Sequence, residues 1–272
     1  MNPKVAVIQF PGVNCEYETV RALRVSGLEA EIFRWNLDLS RLSSFDAFVL
    51  PGGFSYQDRV RAGAIAAKDS IMEEISTQAG KGKPVLGICN GAQVLVESGL
   101  VPGFSEGRVE MALGPNRTEG RSGYLCEWIY VKAAQPSKSA FTCGIEEGEI
   151  IPLPIAHAEG RFLTGSPQVV ETLRQERLLR LLYCDEVGNE REEYPWNPNG
   201  SMLSAAAICS RGGNVMAMMP HPERASWLKQ VPDWIHGKWG AEKRRARGRI
   251  QSMEEEGPGR KVFVSLRRFL DS

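Results

Sequence analysis

The chain is poor in histidine, has no closely spaced cysteine pair and carries no long apolar run. Only three histidines occur among its 272 residues, His157, His221 and His236. The six cysteines, at positions 15, 89, 126, 143, 184 and 209, lie far apart without a C-x-x-C pair. Zinc sites of the finger or ribbon type therefore fail on spacing, and no metal is expected. No apolar stretch approaches the ~20 residues that cross a bilayer. The short apolar run after Lys4 is too brief for a secretory signal. Net charge is missing too, because 33 basic and 33 acidic residues cancel. A dedicated nucleic-acid binder would show a basic excess. A disordered chain would hold far fewer than 42% apolar residues. Internal repeats and low-complexity linkers are absent. These exclusions leave a cytoplasmic globular protein without membrane or nucleic-acid partners, its cysteines reduced and mostly small buried hydrophobes. The length suits a single domain over residues 1–272.

What is present is an alternation of strand and helix. Residues 4–10 (KVAVIQF) form a β-branched apolar run that ends in Pro11-Gly12, the pattern of a buried strand and its turn. Asn14 is placed to cap a helix over 16–26, which Gly27 stops. Strands follow over 29–35, 45–50 and 84–88, with helices over 59–78 and 91–97. Four strand–helix alternations within a hundred residues predict an α/β fold with a mostly parallel sheet flanked by helices. Residues 113–195 are less regular. Strands over 124–131 and 150–156 with intervening turns predict a smaller antiparallel section. Residues 196–200 (WNPNG) mark a turn. An apolar hairpin, 205–209 with 215–219, empties into Pro220-His221-Pro222-Glu223. A charged stretch over 241–261 then precedes a last amphipathic helix over 262–270.

One cysteine differs from the rest. Gly87-Ile88-Cys89-Asn90-Gly91 is a G-x-C-x-G segment between a strand and a helix, the cysteine form of a nucleophile elbow. A turn this tight leaves no room for side chains around the nucleophile, hence the flanking glycines. The helix N-terminus beneath the sulfur favours a thiolate. A structural cysteine between two ordinary glycines has the same composition; the strand–turn–helix context favours the elbow. Such a nucleophile needs a base, and the base an orienting group. His221-Pro222-Glu223 supplies both, because a residue before proline is extended and side chains at i and i+2 of an extended segment share a face. His157-Ala158-Glu159 has the same spacing and competes for the role. His236, between Trp234 and Trp239, has no acidic partner at useful spacing. Pro51-Gly52-Gly53 ends a neighbouring strand, so the amides of Gly53 and Asn90 are placed to hold an oxyanion.

Together these residues resemble the class I (triad) glutamine amidotransferases: G-x-C-x-G with Gln93 four residues beyond the cysteine, an earlier P-G-G turn and a later P-H-P-E. The order Cys, His, Glu agrees with that family and differs from the α/β-hydrolases. Three further segments resemble the glutaminase subunits of phosphoribosylformylglycinamidine synthases. They are Phe54-Ser55-Tyr56 leading to Arg61-Ala62-Gly63, Pro154-Ile155-Ala156-His157-Ala158-Glu159-Gly160-Arg161, and Asn197-Pro198-Asn199-Gly200-Ser201. Gln57 stands where those subunits usually carry glycine, and Tyr124-Leu125 and Glu127 also depart from their pattern, while Asn116 and Cys126 keep it.

The resemblance implies a flavodoxin-like amidotransferase fold and a triad of Cys89, His221 and Glu223. Gly53 and Asn90 would form the oxyanion hole and Gln93 would bind glutamine. His157, Glu159 and Arg161 would lie near the site, more as partner contacts. The implied activity is glutamine hydrolysis through a cysteine thioester. The ammonia would pass to a synthetase subunit that uses ATP and magnesium in purine biosynthesis, often with a small bridging subunit. This subunit itself would need no cofactor. Residues 241–261 look like an insertion, either a solvated helix and loop or a docking surface for the synthetase. A stand-alone cysteine hydrolase or peptidase of the same fold is the other reading of the residues.

Overall fold

A computed structural model of the chain describes residues 2–134 and 139–272. The first half consists of β1 (Lys4–Gln9), α1 (Glu16–Val25), β2 (Glu29–Arg34), β3 (Ala47–Leu50), α2 (Ser70–Gly80), β4 (Val85–Ile88) and α3 (Asn90–Glu97). Every residue of β3 and β4 is buried, as is Val5–Ile8 of β1. Strands covered on both faces require such continuous apolar runs. Short strands follow: β5 (Ala112–Gly114), β6 (Arg117–Thr118) and β7 (Arg121–Ser122). The second half adds β8 (Leu125–Ala133), β9 (Ile150–His157), β10 (Arg161–Leu163), α4 (Pro167–Gln175), β11 (Leu179–Cys184), β12 (Ala205–Cys209) and β13 (Val215–Met218). The chain closes with α5 (Gly237–Ala246), α6 (Ile250–Met253) and α7 (Arg260–Leu270).

Nine strands form one mixed sheet in the order β2-β1-β3-β4-β13-β12-β11-β8-β9. The pairs from β2 to β13 are parallel, and those from β13 to β9 antiparallel. This is the α/β sheet with an antiparallel section that the sequence pattern predicts. The helix α1 packs on β1 and β2, and α3 on β3, β4 and β13. The turns after β1, β3, β4 and β13 therefore meet at the carboxyl edge, where sheets of this kind bind ligands.

Three local features differ from the sequence reading. The helix expected over 59–78 begins only at Ser70, where the Asp69 side chain accepts from the Ile71 amide at 3.1 Å. Val60 carries a positive φ, which an α-helix cannot contain, and so do Tyr56, Gln57 and Asp58 just before the expected start. Asn14 does not cap α1; Cys15 holds the N-cap position, and Asn14 Oδ1 lies 3.4 Å from its sulfur. The middle segment also holds α4 and β11, which the sequence reading did not assign. Ser166 caps α4 and Pro167 occupies its first turn, a recognisable start signal.

The charged stretch near the C-terminus is only partly solvated. Leu228, Val231, Ile235, Trp239 and Ala246 form a small second core against Trp128, Tyr130 and Met253. It anchors α5 and α6 over β8. Val262, Phe263 and Leu266 of α7 join the main core.

The close seating of α3 depends on two glycines. A Cβ on Gly91 would overlap the carbonyl oxygen of Leu50, and one on Gly87 the carbonyl oxygen of Gly91. Overpacking of this kind costs about 1–3 kcal/mol or more. Gly91→Ala is expected to lower the thermal midpoint by several degrees. Gly80→Ala, with nothing within 4 Å of the added carbon, should leave it unchanged or raise it. Differential scanning calorimetry of both variants checks this.

Candidate active site

Cys89 follows β4 directly and is the N-cap of α3, with φ 51° and ψ −106°. A non-glycine residue there is strained and must be held by its surroundings. The Cys89 amide donates to the Met218 carbonyl at 2.8 Å, which ties the elbow to the end of β13. Its sulfur lies 3.5 Å from the Ala156 carbonyl oxygen at the end of β9. Asn90 opens α3, so its amide has no intrahelical acceptor. Gly53 bridges Val13 while the flanking amides of Asn14 and Phe54 make the hydrogen bonds to Gly52 and Gly12. Gly53 is thus in a non-hydrogen-bonded pair, and its own N–H turns away from Val13. It lines the same cavity as Cys89. The two expected oxyanion donors are both left free by the backbone pattern.

His221 stands just beyond β13, extended at φ −100° and ψ 90°. Its amide donates to the Pro154 carbonyl of β9 at 2.8 Å. Pro222 opens a 3₁₀ turn that brings Glu223 back under the ring. The His221 Nδ1 to Glu223 Oε1 separation is 2.5 Å, with both side chains buried. The i, i+2 contact is thus made by a turn rather than by the extended segment expected. Gly52 makes room for the ring, since a Cβ there would lie 2.7 Å from His221 Cε1. His221 Nε2 has no hydrogen-bond partner. Burial opposes a charge on His221, but Glu223, then Cys89 and Cys15, outweigh it and hold the imidazole well above its ordinary value.

His157, the competing base, is arranged differently. Asn116 Oδ1 accepts from the Gly160 amide at 3.0 Å and lies 3.1 Å from His157 Nδ1. The Asn116 Nδ2 donates to the carbonyls of His157 and Gly123. Nδ1 of His157 therefore carries its proton toward an amide oxygen, not a carboxylate. Burial, then the charge of His221, push its pKa down to about 3. Glu159 Oε2 turns to the Ala62 amide at 3.4 Å. Exposed by only 3%, His157 cannot meet a partner surface, contrary to the partner-contact expectation. Arg161 does reach a surface cleft, beside Arg117 and Arg121. The exposed His236 sits before α5.

Gln93 is buried, and both ends of its amide are engaged. It donates to the Glu159 carbonyl at 2.6 Å and accepts from Asn90 Nδ2 at 2.9 Å. It forms a wall of the cavity beside Cys89. That cavity holds about 70 Å³ and is also lined by Asp58, Tyr124, Ala156 and Glu159. A larger depression of about 630 Å³, lined by Lys4, Glu29 and Arg41, lies at the opposite edge of the sheet. It holds none of the groups named above.

Two neighbours escaped the sequence reading. Cys15 approaches His221 and Glu223, their potential ligand atoms all within 4.8 Å. Arg224 Nη2 donates to its sulfur at 3.0 Å. Asp58, just before the helix expected over 59–78, is brought to the cavity by a run of left-handed residues that nothing local in the sequence signals. The arrangement as a whole can attack a carbonyl carbon with sulfur, bind the resulting oxyanion on two amides and shuttle a proton through His221.

The chain matches the family model of the CobB/CobQ-like glutamine amidotransferase domain over residues 2–270. It is 43% identical over 274 residues to phosphoribosylformylglycinamidine synthase subunit PurQ of Methanothrix thermoacetophila, covering 98% of each chain. The PurQ subunit of Pyrococcus furiosus is 46% identical over 223 residues, covering 82% of this chain and 89% of the other. Among solved structures, a chain of PurLQS from Thermotoga maritima aligns with TM-score 0.71 and 31% identity, covering 99% of this chain and all of the other. The chain belongs to the glutamine amidotransferase family and, within it, to the PurQ subunits of phosphoribosylformylglycinamidine synthase.

Proposed function

We propose that this chain hydrolyses glutamine and delivers the ammonia to a synthetase subunit, which uses ATP to convert formylglycinamide ribonucleotide into its amidine. The observation that carries the reading is the buried His221–Glu223 pair, with its free Nε2, beside a cysteine on a strained elbow. The Cys89 sulfur attacks the side-chain amide carbon of glutamine. The Gly53 and Asn90 amides hold the oxyanion. His221 gives a proton to the departing nitrogen, the C–N bond breaks, and ammonia leaves. His221 then takes a proton from water, which adds to the thioester carbon. The C–S bond breaks and glutamate is released with the thiol restored. Glu223 orients the imidazole and stabilises its charged form.

The chain needs no cofactor of its own for these steps. ATP and magnesium act at the synthetase. Relatives named as synthase subunits and the PurLQS chain support assembly with a synthetase and a small bridging subunit. The cleft of Arg117, Arg121 and Arg161 suits an acidic partner surface. The cytoplasm is the compartment that fits free cysteines and this substrate. Among the described residues no helix is long and apolar enough to cross a membrane.

The raised pKa of His221 sets a pH dependence. Its folded value lies above the ordinary 6.5. The associated stability is complete below pH 6.5 and is lost as pH rises through the folded value. Glu223→Gln removes the first charge that raises it. We expect kcat to fall by about 10³–10⁴-fold, with KM little changed. The titration of the His221 ring protons, followed by NMR, should move to lower pH.

The nucleophile is tested in the assembled enzyme. With the synthetase, ATP and formylglycinamide ribonucleotide, Cys89→Ala should fail on glutamine yet form the amidine from ammonium salt. Equal rates on glutamine for wild type and variant would make Cys89 structural. Hydrolysis of peptides by the isolated chain would favour the stand-alone hydrolase.

A further inference from the structure

The cavity beside Cys89 has an acidic wall that the hydrolysis steps do not use. Asp58 and Glu159 both line it, one from the loop after β3 and the other from just beyond β9. Neither carboxylate is in a salt bridge among the described residues. Asp58 Oδ1 accepts from Asn90 Nδ2 at 3.2 Å, and Glu159 Oε2 from the Ala62 amide at 3.4 Å. The nearby Arg61 donates its Nε and Nη2 to the Glu97 carboxylate. Burial, then the charge of Glu159, push Asp58 up to about 6. Two like charges therefore face one small space, and the guanidinium of Arg61, whose charge reaches Glu159, is hydrogen-bonded to Glu97 instead.

A third group on the same wall is also unsatisfied. His157 lines the cavity, is almost fully buried, and its Nε2 has no hydrogen-bond partner. With the proton on Nδ1, that nitrogen is an acceptor. The wall thus presents three acceptors, two of them charged, beside a nucleophile and two oxyanion donors. Apart from those donors, the cavity calls for a cationic group bearing several N–H bonds.

We propose that Asp58 and Glu159 bind the α-ammonium group of glutamine and so select an α-amino acid amide over a plain carboxamide. The inference rests on the glutaminase reading and assigns it a specificity site. Asp58 lies in the run of left-handed residues after Gly53, and Glu159 just beyond β9. The two strand ends thus set the distance between the ammonium site and the sulfur. The Asn90 side chain binds Asp58 while its amide lies in the oxyanion hole, so one residue aligns both ends of the substrate. A site built to bind a charged N–H group rejects an analogue that lacks it by large factors.

The test compares glutamine with 4-carbamoylbutanoate, the same molecule without its amino group. The enzyme is assembled with its synthetase, and kcat/KM for ammonia release is measured on both. The wild type is expected to prefer glutamine by about 10³-fold or more. Asp58→Asn and Glu159→Gln, tested separately, should each shrink that ratio by about tenfold or more, chiefly through KM for glutamine. Two variants on separate elements guard against a folding defect in one. An unchanged ratio in both variants, or a wild type that takes both substrates equally, overturns the assignment. A wild type that releases ammonia from neither compound overturns the glutaminase reading itself.

Discussion

A carboxylate removed from water must find a charged partner, and Glu223 is wholly buried. Its partner is His221, at 2.5 Å. Leaving one member of such a buried pair alone costs about 3–5 kcal/mol. The surroundings are fitted to this pair. Gly52 clears space for the ring, Pro222 turns the chain so that the carboxylate can reach it, and β9 fixes the histidine backbone. The pair in turn holds the His221 imidazole well above its ordinary pKa, beside Cys89.

The mixed sheet explains how residues so distant in sequence meet. Its parallel half delivers the turns after β1, β3, β4 and β13 to one edge. Its antiparallel half returns β9 to the same place, contributing the Ala156 carbonyl, His157 and Glu159. The parallel strands supply Cys89, His221 and the amides of Gly53 and Asn90, the groups proposed as nucleophile, base and oxyanion donors. The antiparallel section closes the cavity and carries part of its acidic wall. The acidic wall thus draws on both halves, Asp58 from the parallel side and Glu159 from the antiparallel one, and Asn90 holds the Asp58 and Gln93 side chains.

Much of this was legible in the sequence because its signals are local. Continuous apolar runs gave β1, β3 and β4, and the glycines around Cys89 gave the elbow. The P-H-P-E segment gave a base and its acid partner, though the contact is made by a turn. Where long-range contacts decide, the sequence reading was less complete. Residues 59–69 contain good helix formers, yet the helix starts only at Ser70, and the left-handed residues 56–58 just before them place Asp58 at the cavity. Nothing near Cys15 in sequence reveals its approach to His221, made across the sheet edge. His157 and His221 share the H-x-E spacing, and only the folded chain gives one an amide partner and the other a carboxylate. The small apolar core beneath α5 and α6 has members spread from Trp128 to Met253, with only Ala246 and Met253 inside the charged stretch, so no local pattern reveals it.

The central claim is that Cys89, among six free cysteines, carries the glutamyl group during turnover. The most direct measurement is to quench the assembled enzyme with acid while it turns over glutamine and to map its peptides by mass spectrometry. The account predicts a γ-glutamyl adduct on the peptide containing Cys89 and on no other cysteine. It predicts more adduct when His221 is replaced by a residue that cannot activate water but acylation still proceeds slowly. An adduct on Cys15 instead, or glutamine turnover with no adduct on any cysteine, would contradict it.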